Sequence, residues 1–413
     1  MTSENLYIWT YLPDLNYPVV AGRLTIDTAS KVGTFVYGKS YLSLEKAIPI
    51  DPVTLPLEQK QFKFTTLNGH PGVIIDACPD RWGTNVIDRL YGAGSYPVSY
   101  LLRNDPGRSG CLAFSESAES PPAEMSSREF PLSELLKAAE DVESNKAVDS
   151  ELLKALHPGT GGAKPKCNIE KDGSIWIAKF QSLKDPAWLS IPKLEHACMS
   201  LARTCGISVA QTQLQTINDK DVYLVKRFDR AGCGLETRRI SYISARSVFY
   251  ADPGYGALGT GSYARLARWI AKYGGSFNQK VELFKRMVFN CAIRNSDDHE
   301  ANHGLIRRYD GAYSLSPAFD VLPVISNHKV HSHSLIIGDD ASGTIENLMS
   351  NCQAFDLNHE AALIIIEDIQ SVIHHSWQET FYSAGLGDQE INRLAHLFAP
   401  IPMRKTSNKQ TQP

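Results

Sequence analysis

The sequence lacks the features that mark several classes of protein. Its eight cysteines, at 78, 111, 167, 198, 205, 233, 291 and 352, include no Cys-x-x-Cys pair, and the closest two, Cys198 and Cys205, are seven apart. That argues against a disulfide framework and a zinc ribbon, and for scattered reduced thiols in a cytoplasmic protein. Long apolar runs are absent. The longest near the C-terminus, residues 361–366, is far too short to span a bilayer. Met1-Thr-Ser-Glu-Asn has no basic stretch leading into an apolar one, so no signal peptide is expected. Neither charge dominates: 42 basic residues face 45 acidic ones, which gives no global attraction to nucleic acid. There is no internal repeat. What is present is 413 residues, 43% hydrophobic and 21% charged, an ordinary globular composition long enough for two or three domains.

The organisation changes along the chain. Residues 7–12, 19–24 and 32–37 are short, β-branched and aromatic, punctuated by glycine and proline, and the first hundred residues read as strands. We expect a β-rich N-terminal subdomain over 1–115 and a Ser/Pro/Glu-rich linker over 116–131. An α/β lobe is expected over 132–250, with strands at 174–180 and 222–228. Between those strands lies an amphipathic helix at 191–205, with Leu194, Ala197, Cys198 and Leu201 on one face, Pro192 in its first turn and Gly206 at its stop. From about residue 260 the period becomes helical, with helices at 263–273 and 281–293 and two more in 360–400. A helical lobe over 251–402 and a polar, disordered tail over 403–413 complete the expectation.

The densest polar cluster, Asn295-Ser-Asp-Asp-His-Glu-Ala-Asn-His303, follows directly on a helix. Two chemistries compete for it. His299-Glu-Ala-Asn-His303 matches H-E-x-x-H, the zinc-peptidase pattern, which needs both histidines on one face of a continuous helix and a third ligand. Asp297 and Asn302 instead have the D-x-x-x-x-N spacing of a kinase catalytic loop, an aspartate for the substrate proton and an asparagine for magnesium. Leu315-Ser-Pro-Ala-Phe-Asp320 supplies the second metal-binding carboxylate that the kinase reading requires. Upstream, Lys179 ends a strand and Gly159-Thr-Gly-Gly-Ala-Lys-Pro-Lys166 can present backbone N–H groups to phosphate. Glu195, on the following helix, can pair with Lys179. Gly254-Tyr-Gly-Ala-Leu-Gly259 fits G-x-G-x-x-G but has no βαβ unit around it, and is read as a connecting loop.

Taken in order, Cys78-Pro-Asp-Arg-Trp-Gly83, Gly161-Gly-Ala-Lys-Pro-Lys166, Ile177-Ala-Lys179, Leu224-Val-Lys-Arg-Phe-Asp-Arg230, Arg294 through Gly304 and Leu315 through Asp320 resemble the HipA family of serine/threonine kinase toxins. The resemblance spans roughly residues 5–400. It implies an α+β, kinase-like two-lobe fold: an α/β N-terminal lobe with a small β-rich subdomain, and an all-helical C-terminal lobe. It implies Asp297 as catalytic base, Asn302 and Asp320 as magnesium ligands, and Lys179 on the α/β-phosphates of ATP. Gly161, Gly162, Ala163, Lys164, Pro165 and Lys166 would form the phosphate loop. Lys226, Arg227 and Phe228 would meet the adenine, with Asp229 near the nucleotide. His299, Glu300 and Ala301 would line the site beside the base, and Phe319 would flank Asp320.

The same resemblance implies a protein substrate such as an aminoacyl-tRNA synthetase, growth arrest or persistence, and a small helix-turn-helix antitoxin, HipB, that carries the contact with operator DNA. Two departures stand out. The family's autophosphorylated loop serine aligns with Gly159, so loop phosphorylation is absent or has moved to Thr160. The hinge position often acidic in relatives is Lys226. The other readings kept are a catalytically degenerate kinase fold that regulates an antitoxin–DNA complex, and a zinc peptidase using His299 and His303.

Overall fold

Alternating apolar and polar residues build the first sheet, five antiparallel strands in the spatial order Gln61–Phe64, Val32–Tyr37, Pro18–Asp27, Ser3–Tyr11 and Leu112–Ser115. The structure is a computed structural model and describes residues 3–103, 107–122, 129–157, 159, 161–232, 237–252, 260–275, 278–325 and 332–403. Leu6, Ile8, Leu24 and Phe35 fill the covered face of the sheet. The chain returns so closely at Gly33 that a Cβ there would stand 1.7 Å from the Gly69 carbonyl oxygen.

The strand reading of the first hundred residues holds only in part. Gly72–Asp76, Arg81–Tyr91 and Val98–Arg103 are helices. In Arg81–Tyr91 the apolar Trp82, Val86 and Leu90 recur at helical spacing, a signal that the strand reading passed over. Trp82 and Val86 do not pack on their own sheet. They join Leu135, Leu136, Trp176, Ala178 and Leu224 in a hydrophobic cluster of the next lobe. The boundary expected at residue 115 therefore does not separate two independent cores.

The nucleotide-binding lobe expected over 132–250 is built on a four-stranded antiparallel sheet, Lys166–Lys171, Ser174–Phe180, Lys220–Lys226 and Thr212–Ile217. Its hairpins turn at Asp172-Gly173 and Asn218-Asp219, and all four residues have positive φ, the conformation two-residue hairpin loops demand. The helix Ile191–Thr204 starts at Ser190, whose hydroxyl accepts the Lys193 N–H, and carries Pro192 in its first turn. Leu194, Ala197, Cys198 and Leu201 are fully buried, as their spacing requires.

The last lobe holds the helices Ala245–Tyr250, Tyr263–Tyr273, Asn278–Ala292, Ile345–Ser350, His359–Ser383 and Asp388–Leu394. It is not wholly helical. A three-stranded antiparallel sheet, Tyr242–Ser244, Gly304–Arg307 and Tyr313–Leu315, sits within it, its strands too short to leave a period-two signal. The hairpin made by the last two strands separates the polar cluster at 295–303 from the segment ending at Asp320.

Among the described residues Cys78, Cys111, Cys167, Cys198, Cys205, Cys291 and Cys352 are all free thiols. Cys233, Thr160, the 254–259 loop and the tail beyond residue 403 lie outside the described residues. No described helix is long and apolar enough to cross a membrane.

Candidate active site

The strand Ser174–Phe180 brings Lys179 to the cleft between the lobes. Its Nζ lies 2.6 Å from Glu195 Oε1 and 2.7 Å from Asp320 Oδ1. Burial alone would lower the pKa of this ammonium, but Asp320 and Glu195 outweigh it and raise it well above the usual lysine range. The charge of Lys179 holds the Asp320 carboxyl far below the ordinary carboxylate range. Glu195 shifts the other way, because burial pushes it up more than Lys179 pulls it down. Lys166 is the cross-strand partner of Lys179, so two ammonium groups share one face of a hairpin. Like charges opposite each other are destabilising unless anions stand beside them, and Glu195 and Asp320 supply those for Lys179.

Asp320 is set by strands and backbone bonds on both sides of the cleft. The Ala318 N–H donates to the Ser208 carbonyl at 2.8 Å, and the Ala210 N–H returns to the Ala318 carbonyl at 3.0 Å. The buried Arg286 guanidinium donates to the Ser316 carbonyl at 2.9 Å. Asp320 itself has φ +58°, a left-handed conformation uncommon outside glycine and found where a site over-determines the backbone.

The polar cluster leaves the helix Asn278–Ala292 through Arg294, also left-handed at φ +59°. Asp297 is exposed and Asp298 is buried. The Asp297 carbonyl accepts the His299 N–H at 2.8 Å and the Asn302 side-chain amide at 3.4 Å, so the two kinase-spaced residues are tied together. Asp298 anchors the loop from below. Its Oδ2 accepts from the Tyr263 hydroxyl and lies 2.9 Å from His303 Nε2. Burial would raise this carboxyl, but His303 and Tyr263 hold it below the usual range. Behind it, Asn290 donates to the Tyr263 hydroxyl at 3.2 Å and Asn295 donates to Asn290 at 3.1 Å. The polar residues missed in the sequence are these anchors. Tyr263 and Asn290 read there as ordinary members of amphipathic helices.

The glycine-rich segment precedes Lys166, whose Nζ donates to the Gly161 carbonyl. A Cβ on Gly162, at φ +116°, would collide with that Nζ at 1.8 Å. Lys164 pairs with Asp185 at 3.0 Å, Ala163 is exposed, and the Pro165 carbonyl accepts the Phe180 N–H at 3.0 Å. Asp80, from the Pro-Asp-Arg-Trp element, faces this segment. Burial pushes its carboxyl up to about 6, against the opposing charge of Lys166.

At the hinge, the Phe228 ring lies 5.4 Å from Phe319 and 6.2 Å from Tyr242, an aromatic group suited to a flat base. Arg227 and Asp229 point elsewhere. Arg227 Nε and Nη2 donate to the two Asp229 oxygens at 2.9 and 2.7 Å, Arg230 adds a contact at 2.9 Å, and the Gly110 N–H donates to Asp229 at 2.8 Å. Burial would raise the Asp229 carboxyl, but the two guanidiniums outweigh it and hold it far below the ordinary range. Arg227 also reaches the Gly107 carbonyl, and donates to the Arg108 carbonyl at 2.9 Å. These side chains clamp the 107–110 segment, so any contact of residues 227 and 229 with a nucleotide falls to their backbone. Lys226 continues the sheet, its N–H donating to the Gln211 carbonyl at 2.8 Å.

Residues 159–377, more than half of the chain, match the HipA-like C-terminal domain family. The chain belongs to this family. Over 96% of its length and 96% of the other chain, the fold of this HipA-like protein superposes on a chain of the Shewanella oneidensis MR-1 HipA, HipB and operator DNA complex, with a TM-score of 0.68 at 17% identity. A Sinorhizobium fredii protein described as a candidate kinase, Y4dM, is 28% identical over 168 residues, which is 38% of this chain and 39% of that protein. The chain thus matches well under half the length of that relative. The proinflammatory kinase CtkA of Helicobacter pylori aligns over 58% of this chain and 91% of its own, at 16% identity and a TM-score of 0.39.

One expectation changes in this HipA-like site. The zinc-peptidase reading fails on geometry. Glu300–Asn302 is a single 3₁₀ turn, and His299 and His303 flank it with extended backbone, so they do not share a helix face. His303 is committed to Asp298, and no group of three or more His, Cys, Asp or Glu suited to a metal occurs among the described residues. Position 159 disfavours any side chain. Gly159 has φ +60°, and a Cβ there would lie 2.3 Å from the Arg108 backbone nitrogen. Thr160 lies outside the described residues.

Proposed function

We propose that the chain is an ATP- and magnesium-dependent serine/threonine protein kinase of the HipA type. The observation that carries this is the meeting of Lys179 with both Glu195 and Asp320, beside a loop in which Asn302 is bonded to Asp297. Phosphoryl transfer asks mainly for positioning and charge neutralisation, and these residue types supply both. Lys179 and the Gly161 to Lys166 segment hold the phosphates, and Phe228 with Phe319 holds the base. Asp297, exposed at the loop surface, accepts the proton of the attacking serine or threonine hydroxyl. His299, Glu300 and Ala301 line the approach to it.

The oxygen donors fit a hard cation. Asn302 spends its amide N–H on the Asp297 carbonyl and keeps its oxygen, and Asp320 keeps one oxygen beyond the one on Lys179. Asn302 and Asp320 would hold magnesium, which when bound neutralises charge on the transferred phosphoryl group.

The substrate class that family membership favours is a translation component such as an aminoacyl-tRNA synthetase, with growth arrest as the outcome in the cytoplasm. A HipB-like helix-turn-helix antitoxin is the partner, and DNA is met through it, in keeping with the fold shared with the Shewanella assembly. The test is ATP-dependent labelling of a cell lysate with the wild-type chain, Asp297→Ala and Asp320→Ala. A labelled protein band that appears only with the wild type supports the reading. Equal labelling by Asp297→Ala, or tight ATP binding with no transfer to any protein, sinks it.

A further inference from the structure

The turn at residues 79–82 belongs to the N-terminal module, yet it meets the glycine-rich segment at several points. The Trp82 indole N–H donates to the Lys166 carbonyl at 2.8 Å and to the Leu156 carbonyl at 3.3 Å. One donor thus ties the chain on both sides of the segment. The ring is buried among the side chains of the nucleotide-binding lobe, which fixes where that donor points. Asp80 sits at the start of the helix Arg81–Tyr91, where an aspartate ordinarily caps the first-turn amides. It makes no such cap. Its Oδ2 faces the segment instead, 3.6 Å from the Cβ position of Gly161 and 3.7 Å from that of Gly162. Lys166 Nζ lies 1.8 Å from that same Cβ position of Gly162. Asp80 Oδ1 is buried and has no hydrogen-bond partner.

We propose that Asp80 is a built-in counter-ion of the phosphate loop, whose place a nucleotide phosphate competes for, and that Trp82 is the positioning residue that holds the loop to receive it. This rests on the nucleotide-binding reading above. Lys166 and Lys179 stand side by side, and their hairpin needs negative charge whether or not nucleotide is present. Glu195 and Asp320 serve Lys179 directly. Among the described residues Lys166 Nζ donates to the Gly161 carbonyl, and Asp80 is the strongest of the carboxylate charges acting on it, ahead of Asp320 and Glu195. A phosphate brings the same sign to the same face, so the two anions repel. Nucleotide affinity is therefore held down by a residue of the N-terminal module, and anything that moves residues 79–82 changes it.

The test is Mg-ATP binding by titration calorimetry on the full chain, its Asp80→Asn and its Trp82→Phe variants. Asp80→Asn removes the competing charge and keeps the shape; it should bind Mg-ATP about three- to tenfold more tightly. Trp82→Phe keeps the ring and loses the donor; it should bind about tenfold more weakly, with the change in the KM for ATP larger than that in kcat. General damage to the lobe would weaken both variants, so the opposite signs are diagnostic. Asp80→Asn binding equal to or weaker than wild type overturns the counter-ion role, whatever Trp82→Phe does. Wild-type affinity in a folded Trp82→Phe overturns the positioning role. A wild-type chain that binds no Mg-ATP overturns the kinase reading, and this inference with it.

Discussion

Lys179 and Asp320 are 141 residues apart in the chain and 2.7 Å apart in space. The same ammonium reaches Glu195 at 2.6 Å, so one cation joins a strand, a helix and the segment that follows the last hairpin. Removing it should do two kinds of harm. Glu195 is left as a buried carboxylate without its partner, a defect of about 3–5 kcal/mol. Lys179→Met is therefore expected to lower the melting temperature as well as abolish transfer. Adding Glu195→Gln to it should recover part of the stability and none of the activity. A double-mutant cycle by chemical denaturation checks this, and strictly additive losses would contradict the pairing.

Variants of the adjacent Asp297 and Asp298 should separate activity from stability. Asp297 is exposed, and its backbone carbonyl receives the loop bonds from His299 and Asn302. Asp297→Asn should keep the fold and reduce γ-phosphate transfer by about 10²–10⁴-fold, the share of a general base. Asp298 is buried against Tyr263 and His303. Asp298→Ala should destabilise by about 2–4 kcal/mol, because it strands two buried polar partners. Thermal melts and single-turnover labelling of both variants decide the matter. A stable, inactive Asp298→Ala beside an active Asp297→Asn would exchange the roles.

Gly159 stands where the backbone leaves no room for a side chain. A serine there would need a left-handed backbone and would press its Cβ within 2.3 Å of the Arg108 nitrogen and 2.5 Å of the Gly107 carbonyl carbon. Gly159→Ser should cost about 2–4 kcal/mol of stability, combining backbone strain with a clash against backbone that cannot rotate away. A melting temperature within about 1 °C of wild type would show that the 107–110 segment yields.

Much of the site could be read from residue types in order: a lysine on a strand, a glutamate on the next helix, then D-x-x-x-x-N and a later aspartate. What could not be read was direction. Arg227 and Asp229 lie beside the hinge in sequence, but their side chains are buried with Gly110 and clamp its segment. That depends on a loop segment, residues 107–110, some 120 residues upstream, which no local spacing encodes. The helix Arg81–Tyr91 was missed for a related reason. Trp82, Val86 and Leu90 recur there at helical spacing, but they serve another lobe's core rather than that of their own module. Element boundaries were clearer where local chemistry sets them, as at Ser190 and Pro192 on the helix that carries Glu195.

His157 gives the chain a pH response whose sign can be worked out. It is buried, and burial, with the nearby charge of Arg108, lowers its pKa to about 4. Its Nδ1 accepts the Gly159 N–H at 3.2 Å, which requires a neutral ring. The unfolded chain takes up a proton at this residue near pH ~6.5. Stability from the neutral ring is therefore fully present above about pH 6.5 and is lost as the pH falls towards about 4, because unfolding there binds a proton that the folded state refuses. The full amount is up to about 3 kcal/mol. His157→Asn keeps an acceptor for the Gly159 N–H and cannot titrate. Its stability relative to wild type should be lowest near pH 7 and should improve steadily towards pH 4, while all other titrating groups are common to both chains and cancel. Denaturation curves at several pH values measure that difference directly. A difference that does not change with pH would mean that His157 carries its proton in the folded protein.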